Sequence, residues 1–424
     1  MFKKTIISEF FTTVSFSQMM QSLYLMTFWS YKLKYWKDKE LFEKELLEKI
    51  DYLPSLLLEG GIKRKIISFY NWRSAIYHAL KMIWVGKDDE VIVNWYNCVS
   101  VSNAVIQSGA KIVYSDIEAE TLSLDFEVLK KNISSKTKVI ILQHTFWKLP
   151  RDYEKIIDFA RKNNIVIIED LAHSLGSNTK ILGDFAVFST GRDKVISSVT
   201  WGFLVINNEK FFDKIEKVKN SLQMPSTKLI FQNLMYNFVW YMAYKTYDFF
   251  KLWRVIIFLS RKLKLITEIL SVSEKSCNFN KFNLDFPNAL AYLARKELEK
   301  LDEYTKKRLE NAKFYLENIK NKKIEIIFKD LKNYNSFRFP ILLENEEEKN
   351  RLIKLWRENK IIFWTSWSGI NLAPIWTDLE KSHYKLWSCP VAEDISKRIL
   401  TLPNHKLISK KDLERVVEVL KEFV

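Results

Sequence analysis

The chain of 424 residues is short of glycine, cysteine and histidine, with nine, three and five of each. Glycine is the residue that permits positive φ and close backbone approach to a ligand. With so few, turns that ordinarily rely on it must be made by other side chains. Cys98, Cys277 and Cys389 are odd in number and far apart. That excludes a disulfide framework and points to a reducing, cytoplasmic setting. Neither the cysteines nor the histidines show metal-ligand spacing, so no metal site is expected. Zinc-finger spacing and RNP-type runs are also missing, which leaves nucleic-acid binding with charge alone behind it, and no nucleic-acid partner is expected.

Long apolar runs are missing too. Residues 10–31 carry no charge, but Thr, Ser and Gln occupy nine of those positions, a poor composition for a spanning helix. The opening MFKKTIISEFF has lysines before apolar residues, yet Glu9 interrupts it and no small-residue cleavage site follows. The segment is expected to be packed or interfacial structure.

What is present is basic, apolar and regularly patterned. Lys and Arg number 67 against 51 Asp and Glu, a net charge of +16, which favours anionic partners such as phosphorylated small molecules. From about residue 66, short apolar runs at 91–93, 111–114, 138–142, 164–169, 185–188 and 203–206 predict strands. Segments 74–85, 99–108, 125–132, 152–163 and 208–221 predict helices between most of them. Continuous apolar strands alternating with helices indicate an α/β fold with a mostly parallel sheet buried on both faces, whose ligands gather at the strands' carboxyl ends. The pattern divides into an N-terminal helical or extended segment (1–65), a large α/β domain (66–222), an aromatic basic helical insert (223–280), and a connecting helix with a small C-terminal α/β domain (281–424). In the last part, 286–320 reads as one long charged helix, 336–342 and 361–364 as strands, and 346–359 and 409–422 as helices, with Ser409 as an N-cap. The insert, at 225–270, has an uncharged stretch, Leu229 to Tyr244, too short and polar to span a membrane. Two readings stand open: a helical hairpin buried against the body or a partner subunit, or a basic amphipathic helix lying on a membrane surface.

Three features converge on one chemistry. Asp170 closes the apolar strand IVIIED, where α/β enzymes place functional groups. Lys194 follows 24 residues later in FSTGRDKVISS; a lysine held among apolar elements can act as an amine nucleophile. NWRSAIYHAL opens a helix, where Arg73, Ser74 and the first backbone N–H groups can hold a phosphate, with Ser189 adding a hydroxyl. A lysine, an acid and a phosphate anchor are what pyridoxal phosphate requires. Alone, each is also explained as a solvated lysine, a capping acid or an ordinary helix cap.

The stretches DDEVIVNWYNCVSVSNAV, GAKIVYSDIEAETLSLD, TKVIILQHTFWKLPRD, VIIEDLAHSLGS, FSTGRDKVISS and CPVAEDISKRILTLPNH make the chain resemble the DegT/DnrJ/StrS family of sugar aminotransferases over about 66–207 and 286–420. The resemblance implies the aspartate aminotransferase-like fold (fold type I) and pyridoxal 5'-phosphate as cofactor. It matches Lys194 to the cofactor lysine that also shuttles the proton, and Asp170 to the acid at the pyridine nitrogen. His173 matches the residue beside the ring's phenolic oxygen, Ser189 a phosphate-binding serine, Arg73 and Ser74 the phosphate turn, and Tyr96 and Cys98 the segment over the ring face. It further implies a homodimer acting on a keto-sugar nucleotide with an amino donor such as glutamate. A pyridoxamine phosphate-dependent sugar dehydratase of the same fold would carry histidine where Lys194 stands. A catalytically impaired binding or regulatory homologue is the other alternative. Trp72, Trp147 and Trp201 motivate it, because they stand at usual glycine positions, as Asn94 does at a usual proline. The expected location is cytoplasmic, with peripheral membrane contact through 225–270 under the membrane-surface reading of the insert.

Overall fold

The computed structural model describes residues 4–7, 14–27, 37–51, 63–177, 180–268, 270–362, 367–368 and 377–423. Parts of the uncharged N-terminal stretch and residues 363–364 of the expected strand 361–364 lie outside the described residues.

Apolar strands of five to seven residues build the body. The strands are β2 (Lys65–Phe69), β3 (Glu90–Asn94), β4 (Lys111–Ser115), β5 (Thr137–Gln143), β6 (Val166–Asp170), β7 (Phe185–Ser189) and β8 (Gly202–Ile206). They form one sheet in the order β2-β8-β7-β6-β5-β3-β4. Strands β7, β6, β5, β3 and β4 run parallel, and β8 is antiparallel to both its neighbours. Every residue of β3, β6, β7 and β8 is buried, as expected of strands covered on both faces. The intervening helices include α3 (Trp72–Ile83) and α4 (Val99–Ser108), preceded in the chain by α1 (Phe16–Thr27) and α2 (Asp38–Asp51). The parallel strands therefore deliver Asn94, Gln143, Asp170 and Ser189 to one edge of the sheet.

Gly202 sits where the sheet meets α3. A Cβ there would stand 2.1 Å from Trp72 Cα, so only glycine lets β8 pass beside the first turn of that helix. Trp147 occupies a glycine-type conformation, φ +89°, and its ring fills the C-terminal core against Phe328 and Tyr334. Trp201 stacks between Phe203 and Phe286.

The expected helix over 286–320 is two helices, Asn288–Leu298 and Leu301–Asn318. At the junction Lys300 N–H bonds to the Glu297 carbonyl, a tighter turn that ends one ladder before the next begins. The C-terminal unit holds the antiparallel sheet β12-β10-β9, made of β9 (Ile324–Ile326), β10 (Arg338–Leu343) and β12 (Ile399–Pro403). Ser409 caps the last helix, Lys410–Glu422, in a reciprocal capping box with Asp412. A short parallel pair joins the chain's start to this unit: β1 (Ile6–Ile7) lies on β11 (Ile361–Ile362).

The insert divides. Its first helix, Thr227–Lys245, buries Ile230, Leu234, Tyr236, Val239 and Trp240, and Asn237 donates to Ser22 of α1 at 2.9 Å. The uncharged stretch thus belongs to the body. Its second helix, Leu252–Lys262, buries only Ile257 and Ser260. Among the described residues no helix is long and apolar enough to cross a membrane.

Candidate active site

Side chains alternate along a strand, so the last two residues of β6 face opposite ways. Glu169 points away from the edge into a closed network. It accepts from Tyr153 Oη at 3.0 Å and from the N–H groups of Leu182 and Gly183 at 2.7 and 2.6 Å, and lies 2.8 Å from His144 Nε2. Asp170 faces into a cavity of about 760 Å³. It is 2 % exposed and accepts the Ala172 N–H at 3.0 Å. Burial pushes its carboxyl up to about 6; the Ala172 N–H, Lys194, His144 and the Trp72 indole pull against that.

Lys194 lines the same cavity, in the loop between β7 and β8. The loop is stapled at its base by Thr190 N–H to the Trp201 carbonyl at 3.2 Å and Ser198 N–H to the Thr190 carbonyl at 3.1 Å. It is held from three further sides. Arg338 at the start of β10 pairs with Asp193 at 2.8 Å. Arg308 donates to the Val195 carbonyl. Arg192 donates to the Thr267 carbonyl at 3.1 Å and lies 4.4 Å over the Tyr236 ring. Among the described residues Lys194 Nζ makes no ion pair; it stands 5.9 Å from the centre of the Phe337 ring. An amine so placed is directed and uncommitted.

His173 completes this end. Its ring stacks on Phe146 at 5.7 Å and meets Trp367 edge-on at 5.0 Å. Burial, with Lys194 and Arg338 nearby, holds its pKa far below the ordinary range, so the ring is neutral. Nδ1 accepts the Phe146 N–H at 3.4 Å, which leaves the ring proton on Nε2. Ser189 ends β7 and its hydroxyl accepts the Gly191 N–H at 3.2 Å.

The first turn of α3 also lines the cavity. Asn71 caps it, accepting from the Ser74 N–H and the Ser74 hydroxyl, both at 3.0 Å. Arg73 lines the cavity, lies 5.1 Å from the centre of the Phe279 ring and is paired with the buried Glu274 of the insert. Trp72 also lines the cavity, with its indole N–H turned toward Asp170 but outside hydrogen-bond geometry.

Arg73, Cys98, Asp170, His173, Ser189 and Lys194 thus share one cavity. Two expected residues do not line it. Ser74 spends its hydroxyl on Asn71, inside the cap. Tyr96 lies behind the wall, its hydroxyl donating to the Trp367 carbonyl at 2.8 Å. Of the three tryptophans, Trp147 is turned away into the C-terminal core, while Trp72 and Trp201 reach the cavity. Sequence reasoning missed Gln143, at the end of β5, whose place at a parallel strand's carboxyl end was a usable signal. It also missed Asn233, Thr267 and Glu274 of the insert, which no local motif marks.

The comparisons agree with this geometry. Residues 61–238 and 271–421 match the DegT/DnrJ/EryC1/StrS aminotransferase family. GDP-perosamine synthase of Escherichia coli O157:H7 is 23 % identical over 83 % of this chain and 84 % of its own length. The dTDP-4-amino-4,6-dideoxy-D-glucose transaminase of Shigella dysenteriae is 24 % identical over 84 % of each. Spr1654 of Streptococcus pneumoniae, solved in a PLP form, has the same fold, with a TM-score of 0.68 at 17 % identity over 100 % of this chain and 99 % of its own. The matched blocks hold both the sheet that carries Asp170 and Lys194 and the C-terminal sheet that braces the lysine loop, and the chain belongs to the DegT/DnrJ/EryC1/StrS aminotransferase family.

Proposed function

We propose that the chain is a pyridoxal 5'-phosphate-dependent aminotransferase that moves an amino group from glutamate to a keto-sugar carried on a nucleotide, for the assembly of a surface glycan. The observation that carries this is the presence of Lys194 and Asp170 in the wall of one cavity at the carboxyl edge of the sheet. Relatives named for GDP-linked and dTDP-linked sugars support the substrate class. The +16 charge suits an anionic substrate. The enzyme works in the cytoplasm as a homodimer.

The residues present fit the cofactor. A buried acid held by a backbone N–H, an amine that makes no ion pair among the described residues, a neutral imidazole and a helix N-terminus with an arginine line the same space. Asp170 would meet the pyridine nitrogen, Lys194 the aldehyde, His173 the phenolic oxygen, and Ser189, Arg73 and the free N–H groups of α3 the phosphate. When bound, the cofactor supplies an electron sink that makes a C–H bond next to the substrate nitrogen acidic.

The chain's own groups do the rest. Lys194 Nζ takes that proton and returns it at a neighbouring carbon, as general base and then general acid. Its loop is fixed by Arg192, Arg308 and Asp193, so the amine has a short, repeatable path. Asp170 keeps a negative charge in the cavity wall, fixed by the Ala172 N–H. His173 holds its proton at Nε2 and so donates a hydrogen bond at neutral pH without adding charge. Phe146, Trp367 and Phe337 around His173 exclude water from this end.

The test is the visible absorbance of purified protein with added pyridoxal 5'-phosphate. Wild type should hold a band through gel filtration that borohydride traps and glutamate bleaches, and Lys194→Ala should lack the trapped adduct. An equal trapped adduct in Lys194→Ala would sink the assignment of the lysine. A band that glutamate and other amino acids leave unchanged would sink transamination.

A further inference from the structure

The matched blocks end at residue 238 and resume at 271, and the outward helix Leu252–Lys262 lies between them. It buries two residues, with Trp253 and Ile256 partly packed beside them, and its outer face mixes exposed apolar and basic side chains. Phe249, Phe250, Val255, Phe258, Leu259 and Leu263 are all exposed, Phe250 by 89 % and Phe258 by 63 %. Phe250 and Lys251, at the turn before the helix, hold positive φ values of 43° and 58° without being glycine. Left-handed backbone costs such residues about 1 kcal/mol each, and here it presents a phenylalanine to the outside. Interleaved with the apolar side chains are Lys251, Arg254, Arg261, Lys262 and Lys264. From Phe249 to Thr267 the chain has no acidic residue.

We infer that the turn 249–251 and helix 252–262 form an interfacial anchor that lies on a bilayer containing anionic phospholipid. Apolar side chains on one exposed face reward contact with hydrocarbon, and the basic side chains between them reward phosphate headgroups. Long lysine and arginine stems reach back to the headgroups while the rings sink between lipids. Charge decides against a second copy as the occupant. A twofold pairing of this face would set five cations against five with no acid among them, and repulsion would oppose the apolar gain. The helix has 11 residues, so it lies in the interface and does not cross it. The same segment reaches the cavity, since Arg261 and Thr267 line it. The anchor therefore lies beside the mouth of the site.

The test is flotation of the full chain with vesicles of pure phosphatidylcholine and of phosphatidylcholine with about 30 % phosphatidylglycerol. It needs neither cofactor nor substrate, so it stands or falls apart from the transaminase assignment. Deleting the insert is uninformative, because its first helix is part of the core. Two paired variants away from the cavity are used, F250S/F258S and R254E/K262E, with circular dichroism and the cofactor band as controls on folding. Wild type should float with the anionic vesicles and not the neutral ones. Each variant should partition at least about tenfold more weakly, and salt of about 0.5 M should weaken the wild type. Absence of wild-type binding to anionic vesicles overturns the inference. So does wild-type binding by F250S/F258S, which would leave only the general +16 charge at work. A concentration-dependent self-association that F250S/F258S abolishes, without vesicle binding, also overturns it in favour of a second copy.

Discussion

Arg73 is paired with Glu274, and that pairing makes an unusual demand on cofactor binding. A phosphate held by Arg73 must share the guanidinium with a carboxylate whose side chain is only 5 % exposed. At an effective dielectric of about 20, two like unit charges roughly 7 Å apart repel by about 2 kcal/mol. Replacing Glu274 with glutamine keeps an acceptor for Arg73 and removes that repulsion. Pyridoxal 5'-phosphate should then bind about tenfold to hundredfold more tightly, taking 1.4 kcal/mol as about one factor of ten. The empty protein should move the other way. Arg73 would exchange its counter-charge for a neutral acceptor, beside the Phe279 ring 5.1 Å away, so unfolding should become easier by about 1–3 kcal/mol. The assay is a pair of titrations followed by absorbance, with pyridoxal 5'-phosphate and with pyridoxal, beside melting curves with and without inorganic phosphate. E274Q should gain affinity for the phosphorylated compound alone, and phosphate should restore its melting temperature. Equal changes for both compounds, or a weaker Kd for the phosphorylated one, would refute the placing of phosphate at Arg73.

Asp170 titrates near 6 in the folded, empty protein against 3.8 for an ordinary aspartate. The folded state thus binds the proton more tightly, so this group's contribution is present below 3.8 and is lost as pH rises to about 6. The difference of about 2.2 units is worth about 3 kcal/mol. The gap in unfolding free energy between D170N and wild type should widen in favour of the variant from pH 4 to 7, and a flat difference would contradict the burial of this charge. G202A should destabilise by about 3 kcal/mol or more through its clash with Trp72 and should weaken cofactor binding, read by denaturant melts and the same titration. W147G trades relief of a positive φ, about 1 kcal/mol, against loss of a fully buried ring, about 3–5 kcal/mol, so a net loss of about 2–4 kcal/mol is expected in urea melts.

The parallel strands were legible because burial on both faces leaves them as unbroken apolar runs, and VIV, VIIL and FAVF admit little else. β9, IEI, and β12, ILTLP, were not separately visible. They are short, partly polar, and take their place only by pairing with β10 on either side. In the site, residues at strand ends and in the loop after β7 could be placed from the sequence, since topology alone brings them to one edge. Which way a hydroxyl points could not. Ser74 turns to Asn71 and Tyr96 to the Trp367 backbone, choices made by near neighbours in space. The insert half of the cavity was illegible for the same reason. Asn233, Thr267 and Glu274 are ordinary polar residues until Tyr70, Arg192 and Arg73 meet them.

Thr267 takes the hydrogen bonds of Arg192, two residues from Lys194, and it follows the outward helix by five residues. One stretch of backbone is therefore both a wall of the reaction chamber and the continuation of an exposed apolar surface. A shift of that surface on binding would reach the loop that carries Lys194 through the Thr267–Arg192 contact. Thermodynamic reciprocity then applies: whatever factor occupancy of the surface adds to the chamber's affinity, a filled chamber returns to the surface.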